Sequence, residues 1–349
     1  MQPPGTTEER AAASPERGRR RSGVIALVAA LAATAAVVLT APADDRGGAV
    51  QDVLGDEQLR IMAPASPGGG WDQTSREMQK ALRELVGRTE VYNVSGAGGT
   101  IGLSQFVRHD GDPSELMTTG LIMMGAVIAN GSPHSLADTT PLARLTTDYQ
   151  VVVVAADSPL TDLPGLVAAM QADIAAVSIS GGSAGGAEQI MAGLLAQAVG
   201  ADPARVSYVA HSGGGEALTT VLSGRSTIGI FGLSEIEPQI EAGTVRALGV
   251  SSADRLPSLP DVPSLKESGL DVVVENWRGV VAPPGITEQE EQALEDMLVR
   301  MAHTEAWRDA LARRGWGDAL LAGPAFEEFV TSEQDRVSRV LTQIGLGGS

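Results

Sequence analysis

The chain has 349 residues, 43% of them hydrophobic, with 42 Gly and 19 Pro spread between periodic segments; this is a globular α/β composition long enough for two cores. A formal charge of −18 argues against nucleic acid and anionic lipid as partners, and four Trp, three Tyr and four Phe are too few for a base-stacking platform. The absence of cysteine excludes disulfides, thiolate metal sites, a cysteine nucleophile and a lipid-acceptor thiol.

Residues 1–43 have the form of an export signal. Arg17, Arg19, Arg20 and Arg21 precede an apolar run from Val24 to Thr40, and Ala41-Pro42-Ala43 is a small-x-small cleavage site. The expectation is a signal peptide, or a retained N-terminal anchor, and an extracytoplasmic protein, periplasmic or at the cell surface. Removing this segment takes away five Arg and three Glu and moves the formal charge from −18 to −20. An anion site on such a chain has to depend on local dipoles rather than on the surface field.

Residues 44–57 are polar and are expected to be a flexible lead-in. From there a repeating pattern begins. The strand-like run Leu59 to Pro64 ends in Pro67-Gly-Gly-Gly-Trp-Asp72, which opens a helical pattern with Met78, Ala81, Leu82 and Leu85 on one face. Thr89 to Val94 runs into Ser95-Gly-Ala-Gly-Gly-Thr100 and a short helical stretch to Arg108. Leu116 to Met124 is a third apolar run, with Met123 and Met124 expected in the core rather than at a ligand. Tyr149 to Val154 reads as a buried strand. Prolines at 159 and 164 then mark entry into a second strand and helix series, containing Gly181-Gly-Ser-Ala-Gly-Gly186 and His211-Ser-Gly-Gly-Gly215. The run Val272 to Ala282, including Glu275-Asn-Trp-Arg278, returns to the first series, and helical stretches follow at Thr287–Arg314 and Pro324–Ile344.

This pattern predicts an α/β chain of two Rossmann-like lobes joined by two crossing strands. Lobe one spans 58–155, lobe two 156–276, and lobe one resumes over 277–349. Four strands end in glycine loops that open helices, two in each lobe. In open α/β sheets ligands bind beyond the carboxyl ends of the strands. Helix N-termini behind glycine loops suit anions, so the four loops are expected to line one cleft for a di- or tricarboxylate.

Other chemistries fit less well. Ala187 and Glu188 follow Gly186 where a P-loop needs Lys and Ser/Thr, and Ile101 occupies the last glycine position of a dinucleotide fingerprint. Gly181-Gly-Ser183-Ala-Gly185 fits G-x-S-x-G, so a serine hydrolase using Ser183, Asp254 or Asp261, and His303 is the enzymatic alternative. His109, His134, His211 and His303 have no ligand spacing, and no metal or cofactor is expected. The carboxylate pairs Glu235/Glu237 and Glu290/Glu291 read as solvated helix faces. Arg278 is a candidate charge-assisted partner for a carboxylate, against the alternative of a surface or interlobe salt bridge. Asp72 is expected to cap its helix or hold a water.

The motifs Ala63–Asp72, Gly96-Ala-Gly-Gly-Thr-Ile-Gly102, Ser212-Gly-Gly-Gly-Glu-Ala-Leu218 and Leu256–Glu267 together resemble the substrate-binding proteins of tripartite tricarboxylate transporters, also called the Bug family of periplasmic receptors. The likeness covers essentially the whole chain after Leu59. Glu275–Gly279 and Thr140–Leu145 look most like the citrate-type branch. The resemblance implies a type II periplasmic-binding-protein fold, no catalysis, a monomer, and delivery of a citrate-like ligand to a permease of one large and one small subunit. A carboxylate sensor signalling to a membrane partner is the alternative within that reading.

Carried over by position, the ligand-binding candidates are Gly68, Gly69, Gly70, Trp71 and Asp72, then Gly98, Gly99 and Thr100. Lobe two would add Ser180, Gly181, Ser183 and Gly186, then His211, Ser212, Gly213 and Gly214. The chain departs from the family pattern at Asn93-Val-Ser95, where a basic residue is usual, and at His211, which stands in place of a Lys.

Overall fold

The computed structural model describes residues 46–55, 57–211 and 213–346, and the chain from Arg46 onward forms one compact unit. The expected signal segment 1–43 and the candidate Ser212 lie outside the described residues. Most of the expected lead-in is helix α1 (Arg46–Leu54), because Val50 and Leu54 fall on one face and are buried against the outer core of lobe one.

Lobe one is built on β1 (Arg60–Ala63), α2 (Gly70–Val86), β2 (Glu90–Asn93), α3 (Thr100–Phe106) and β3 (Glu115–Gly120). In α2 the expected stripe is present: Met78, Ala81 and Leu82 are buried, and Leu85 packs at the margin of the same core. The third apolar run is divided. Its first half is β3 and its second half is α4 (Leu121–Ala129), where Met123 and Met124 are fully buried. Gly120 makes the join, because a Cβ there would strike the Trp277 carbonyl.

β4 (Thr140–Thr147) belongs to the same sheet, while β5 (Gln150–Ala155) pairs in the second one. The first crossing therefore lies at Asp148-Tyr149, several residues before the boundary at 155/156 expected from the proline punctuation. Lobe two continues with α5 (Leu163–Ala172), β6 (Ser178–Gly181), α6 (Ala187–Ala198), β7 (Ser207–Ala210), α7 (Gly214–Leu222), β8 (Ile228–Gly232), α8 (Leu233–Glu241) and β9 (Val245–Val250). The chain then returns through β10 (Arg278–Ala282), α9 (Glu288–Ala302), α10 (Glu305–Arg314), β11 (Gly317–Ala322) and α11 (Pro324–Gln343).

The single helical stretch expected over Thr287–Arg314 is two helices, because Thr304 caps a new start by accepting from the Trp307 N–H at 3.2 Å. Between the two expected helical stretches, Gly317–Ala322 is strand β11 at the edge of the lobe-one sheet.

The sheets run β11-β4-β10-β3-β1-β2 and β7-β6-β8-β5-β9. The β2-β1-β3 and β7-β6-β8 sets are parallel; the crossing strands add antiparallel neighbours. At the hinge Asp148 and Asn276 exchange backbone hydrogen bonds of 3.2 and 2.8 Å, and Tyr149 bridges to Glu275. One core cluster joins residues of both lobes, and two others cover the outer face of each lobe's sheet. Trp277, fully buried just after the hinge, meets Phe326 and Phe329 of α11 edge-on at 5.9 and 5.3 Å. That helix packs on α4 and on α6, so it spans both lobes.

Candidate functional site

Between the lobes lies a cleft of two connected parts, of about 640 and 500 Å³, that share Gly69, Gly70, Glu235 and Arg278 in their walls. One wall is the loop before α2 and the other is the start of α7.

The first loop is closed by its own residues. The Gly69 N–H donates to the Ser66 carbonyl at 3.0 Å, and the Gly68 N–H donates to Asp72 Oδ2 at 2.8 Å. The N–H groups of Gly70 and Trp71, the first two of α2, have no backbone acceptor among the described residues. They are the donors left for a ligand. Gly68 needs glycine for its φ of 85°, and Gly70 needs it because a Cβ would lie 2.9 Å from Arg278 Nη2.

Asp72 is not aimed at a ligand. It is 2% exposed and holds Arg76 through Nε and Nη2 at 3.0 and 2.9 Å, the Gly68 N–H, and Asn93 Nδ2 at 2.9 Å. Burial opposes its charge, yet these donors together keep its carboxyl below the usual range. It fastens the loop to the helix, and Arg76 is spent on it.

Trp71 lines the cleft and packs on Gly99, where a Cβ would lie 2.9 Å from the ring; Gly98 lies against Ala126. Gly98 and Gly99 both face the cleft. Thr100 does not, since its hydroxyl donates to the Ala97 carbonyl at 3.0 Å inside the loop.

In lobe two, Ser183, Gly213 and Gly214 line the cleft. Ser180 does not, because it is fully buried and its Oγ is 2.7 Å from Ser226 Oγ and 3.2 Å from His211 Nε2. His211 is thus spent on a buried hydroxyl rather than placed as a substitute lysine. Gly181 sits against the Tyr208 ring and Glu188, and Gly186 caps α6, so both shape the loop from behind.

Arg278 begins β10 at the base of the cleft and is 5% exposed. Its guanidinium stacks on Trp316 at 4.9 Å, and its Nη1 has no hydrogen-bond partner among the described residues. It makes no ion pair there within 4.0 Å, so the salt-bridge alternative is not what the structure holds. Trp316 also carries Arg314 on its ring at 5.9 Å, with Arg314 tied to Glu77 at 2.9 Å.

Asp148 and Glu235 act on this arginine and Glu188 lines the same part of the cleft, and the sequence reading placed none of the three at the site. Asp148, at the hinge, accepts the Ser234 hydroxyl at 2.5 Å. Glu188 and Glu235 line the cleft beside Arg278, and no hydrogen bond ties either carboxylate to another described side chain. Glu235 was expected to be a solvated helix residue; its side chain lines both parts of the cleft. Glycines make room for these acids. A Cβ on Gly186 would lie 3.0 Å from Glu188 Oε2, and one on Gly214 would lie 2.8 Å from Glu235 Oε2. The sequence signal was available in the loop itself, since the acid that spoils the P-loop spacing, Glu188, is the one the third loop encloses.

Burial, then repulsion by Glu235 and Asp148, pushes Glu188 up to about 7 from an ordinary 4.5. Tyr208 also faces it. Folded Glu188 therefore retains a proton that the unfolded chain has lost between about pH 4.5 and 7. Its contribution to stability is complete below that window and is lost as pH rises through it. Glu188→Gln is expected to flatten the decline of unliganded stability between pH 5 and 8. The part due to Glu295, which burial also raises to about 7, should remain. Equal slopes in urea melts of parent and variant would contradict this.

The hydrolase constellation is not assembled. His303 is exposed and its Nδ1 pairs with the Val299 carbonyl of its own helix at 2.7 Å, and Ser183 has no histidine partner among the described residues. Among the described residues, His109, Asp112 and Glu115 alone bring three potential metal-ligand atoms within 4.8 Å of one another. Arg60 and Tyr92 already hold Glu115, and Ser114 holds Asp112.

Residues 74–346 match the family described as tripartite tricarboxylate transporter family receptor. The "UPF0065 protein in tcbD-tcbE intergenic region" of Pseudomonas sp. (strain P51) is 26% identical over 85% of this chain and 89% of its own length. Among solved structures, MatC from Rhodopseudomonas palustris with bound malate is 23% identical with a TM-score of 0.68, covering 82% of this chain and 98% of that one. A second R. palustris protein, with adipate, is 22% identical with a TM-score of 0.71, covering 83% and 98%. These likenesses establish the same two-lobed fold. Among the described residues, no helix is long and apolar enough to cross a membrane.

Proposed function

Because the chain belongs to the tripartite tricarboxylate transporter receptor family, we propose that it captures a small di- or tricarboxylate between its lobes, outside the cytoplasm, and delivers it to a permease of one large and one small membrane subunit. The observation that carries the reading is Arg278: a nearly buried guanidinium with an unpaired Nη1, lining a cleft between two helix N-termini. A ligand carboxylate supplies the missing acceptor and also meets the N–H groups of Gly70 and Trp71. Trp71, Gly98, Gly99 and Ser183 shape one part of the cleft; Gly213 and Gly214 close the other.

Malate and adipate in the similar structures support a dicarboxylate of four to six carbons as the working class. Citrate, implied by the resemblance of Glu275–Gly279, is the tricarboxylate to set beside them.

Isothermal titration with malate, adipate and citrate tests the reading, and heat from none of them would overturn it. The hydrolase alternative has its own control. Neither the parent nor Ser183→Ala should turn over p-nitrophenyl esters, and turnover lost specifically in Ser183→Ala would revive it.

A further inference from the structure

We propose that Trp316 is a positioning residue of the ligand site, whose indole face holds the Arg278 guanidinium against Gly70 with Nη1 left free for a carboxylate. This rests on the carboxylate reading above and adds to it what keeps the arginine available.

Arg278, Arg313 and Arg314 line the larger part of the cleft, and they are held differently. Every guanidinium nitrogen of Arg314 is engaged: Nε and Nη2 donate to Glu77 Oε1 at 3.2 and 2.9 Å, and Nη1 donates to Gln73 Oε1 at 3.1 Å. Arg313 Nη2 donates to the other oxygen of the same buried Glu77 at 3.2 Å. Arg278 has no such anchor: among the described residues no carboxylate lies within 4.0 Å of it, and Nη1 has no acceptor.

Surfaces set its position instead. Cζ lies 4.9 Å from the centroid of the Trp316 ring. A Cβ on Gly70 would be 2.9 Å from Nη2, 3.1 Å from Cζ and 3.4 Å from Nε, so the whole group rests close against that glycine. A ring face attracts a guanidinium without taking any of its N–H groups, whereas an acid in the same place would take them. Asp148 and Glu235 both attract Arg278, and an arginine drawn onto either would keep fewer donors for a ligand.

Trp316 is itself fixed. It is 6% exposed in the outer core of lobe one with Trp307 and Leu311, and its backbone N–H donates to the Leu311 carbonyl at 3.0 Å. Arg314 also lies over its ring, at 5.9 Å, and Gln73, which holds Arg314, donates to the Gly68 carbonyl at 2.7 Å. The support of Arg278 and the first glycine loop are thereby tied together.

The test is isothermal titration of the intact protein with malate, adipate and citrate, in variants shown to be folded by urea melts. Trp316→Met fills space but offers no ring face, and should weaken the best-bound acid at least tenfold. Trp316→Phe restores a face and should stay within threefold of the parent. In the Arg278→Lys background there is no planar fork to hold, and Trp316→Met should cost less than threefold; a merely structural role would cost the same in both backgrounds. Should Trp316→Met fail to fold, Trp316→Leu takes its place. Unchanged affinity in Trp316→Met, equal losses in the two backgrounds, or a loss in Trp316→Phe as large as in Trp316→Met overturns the inference and leaves the carboxylate reading standing. Binding of none of the three acids by the parent overturns the carboxylate reading and this inference with it.

Discussion

Arg278→Ala is expected to weaken binding of any carboxylate ligand by 100-fold or more, and to lower stability at neutral pH by leaving the raised carboxyls of Asp148 and Glu235 without the cation that offsets their burial. Both effects have one cause. The guanidinium is the ligand's charge-assisted donor, and in the empty protein it is also the cation facing Asp148 and Glu235. Burial already pushes the carboxyls of Asp148 and Glu235 above their ordinary range, and Arg278 is what pulls them back. Without it the folded protein holds acid protons more strongly than the unfolded chain does, so the variant should recover part of its lost stability as pH falls. Arg278→Lys keeps the charge but not the planar fork or the stacking on Trp316, and should fall between. Calorimetric titration and urea melts at pH 5 and 7 check both effects. Unchanged affinity in Arg278→Ala would remove the arginine from the site.

Gly125→Ala has the second largest expected effect, and it acts on the join between the lobes. A methyl group on Gly125 would overlap the carbonyl oxygen of Gly185, so α4 of lobe one and the third glycine loop of lobe two meet backbone to backbone. Gly185 has a φ of 76° and lies between Ser183 and Glu188, so displacing it moves two cleft residues. Overpacking of this kind costs about 1–3 kcal/mol, and the absence of a flexible side chain to yield puts this site at the upper end. Thermal melting and ligand titration should both register the change. A variant that melts and binds like its parent would show that the lobes do not need this contact.

Sequence periodicity revealed the two strand and helix series, the return of the chain to lobe one and the stripe on α2, because hydrophobic burial leaves a local pattern. It misplaced the first crossing because Thr140–Thr147 and Gln150–Ala155 are both strands, separated only by Asp148-Tyr149. Strand partners, not strand character, decide which sheet each joins. It missed β11 for a related reason: Gly317–Ala322 is a short edge strand defined by its pairing with β4. The glycine loops were visible, but which donors they leave free was not. Gly68 and Gly69 looked like the binding N–H groups, and the fold uses both within the loop. Arg278 could be singled out from the chemistry of carboxylates. Glu235 could not, because a helical acid looks alike whether its helix end faces bulk water or a cleft, and Glu188 was marked only by its place after the third glycine loop.

The account turns on one carboxylate seated on Arg278, and ligand-induced stabilisation measures that directly. A carboxylate at ~100 times its dissociation constant should add about 2.7 kcal/mol to the stability of the parent. Thermal melts across a panel of di-, tri- and amino carboxylates should therefore show at least one clear upward shift in the parent and none in Arg278→Ala. No shift in the parent with any carboxylate, or an equal shift in the variant, would contradict the account.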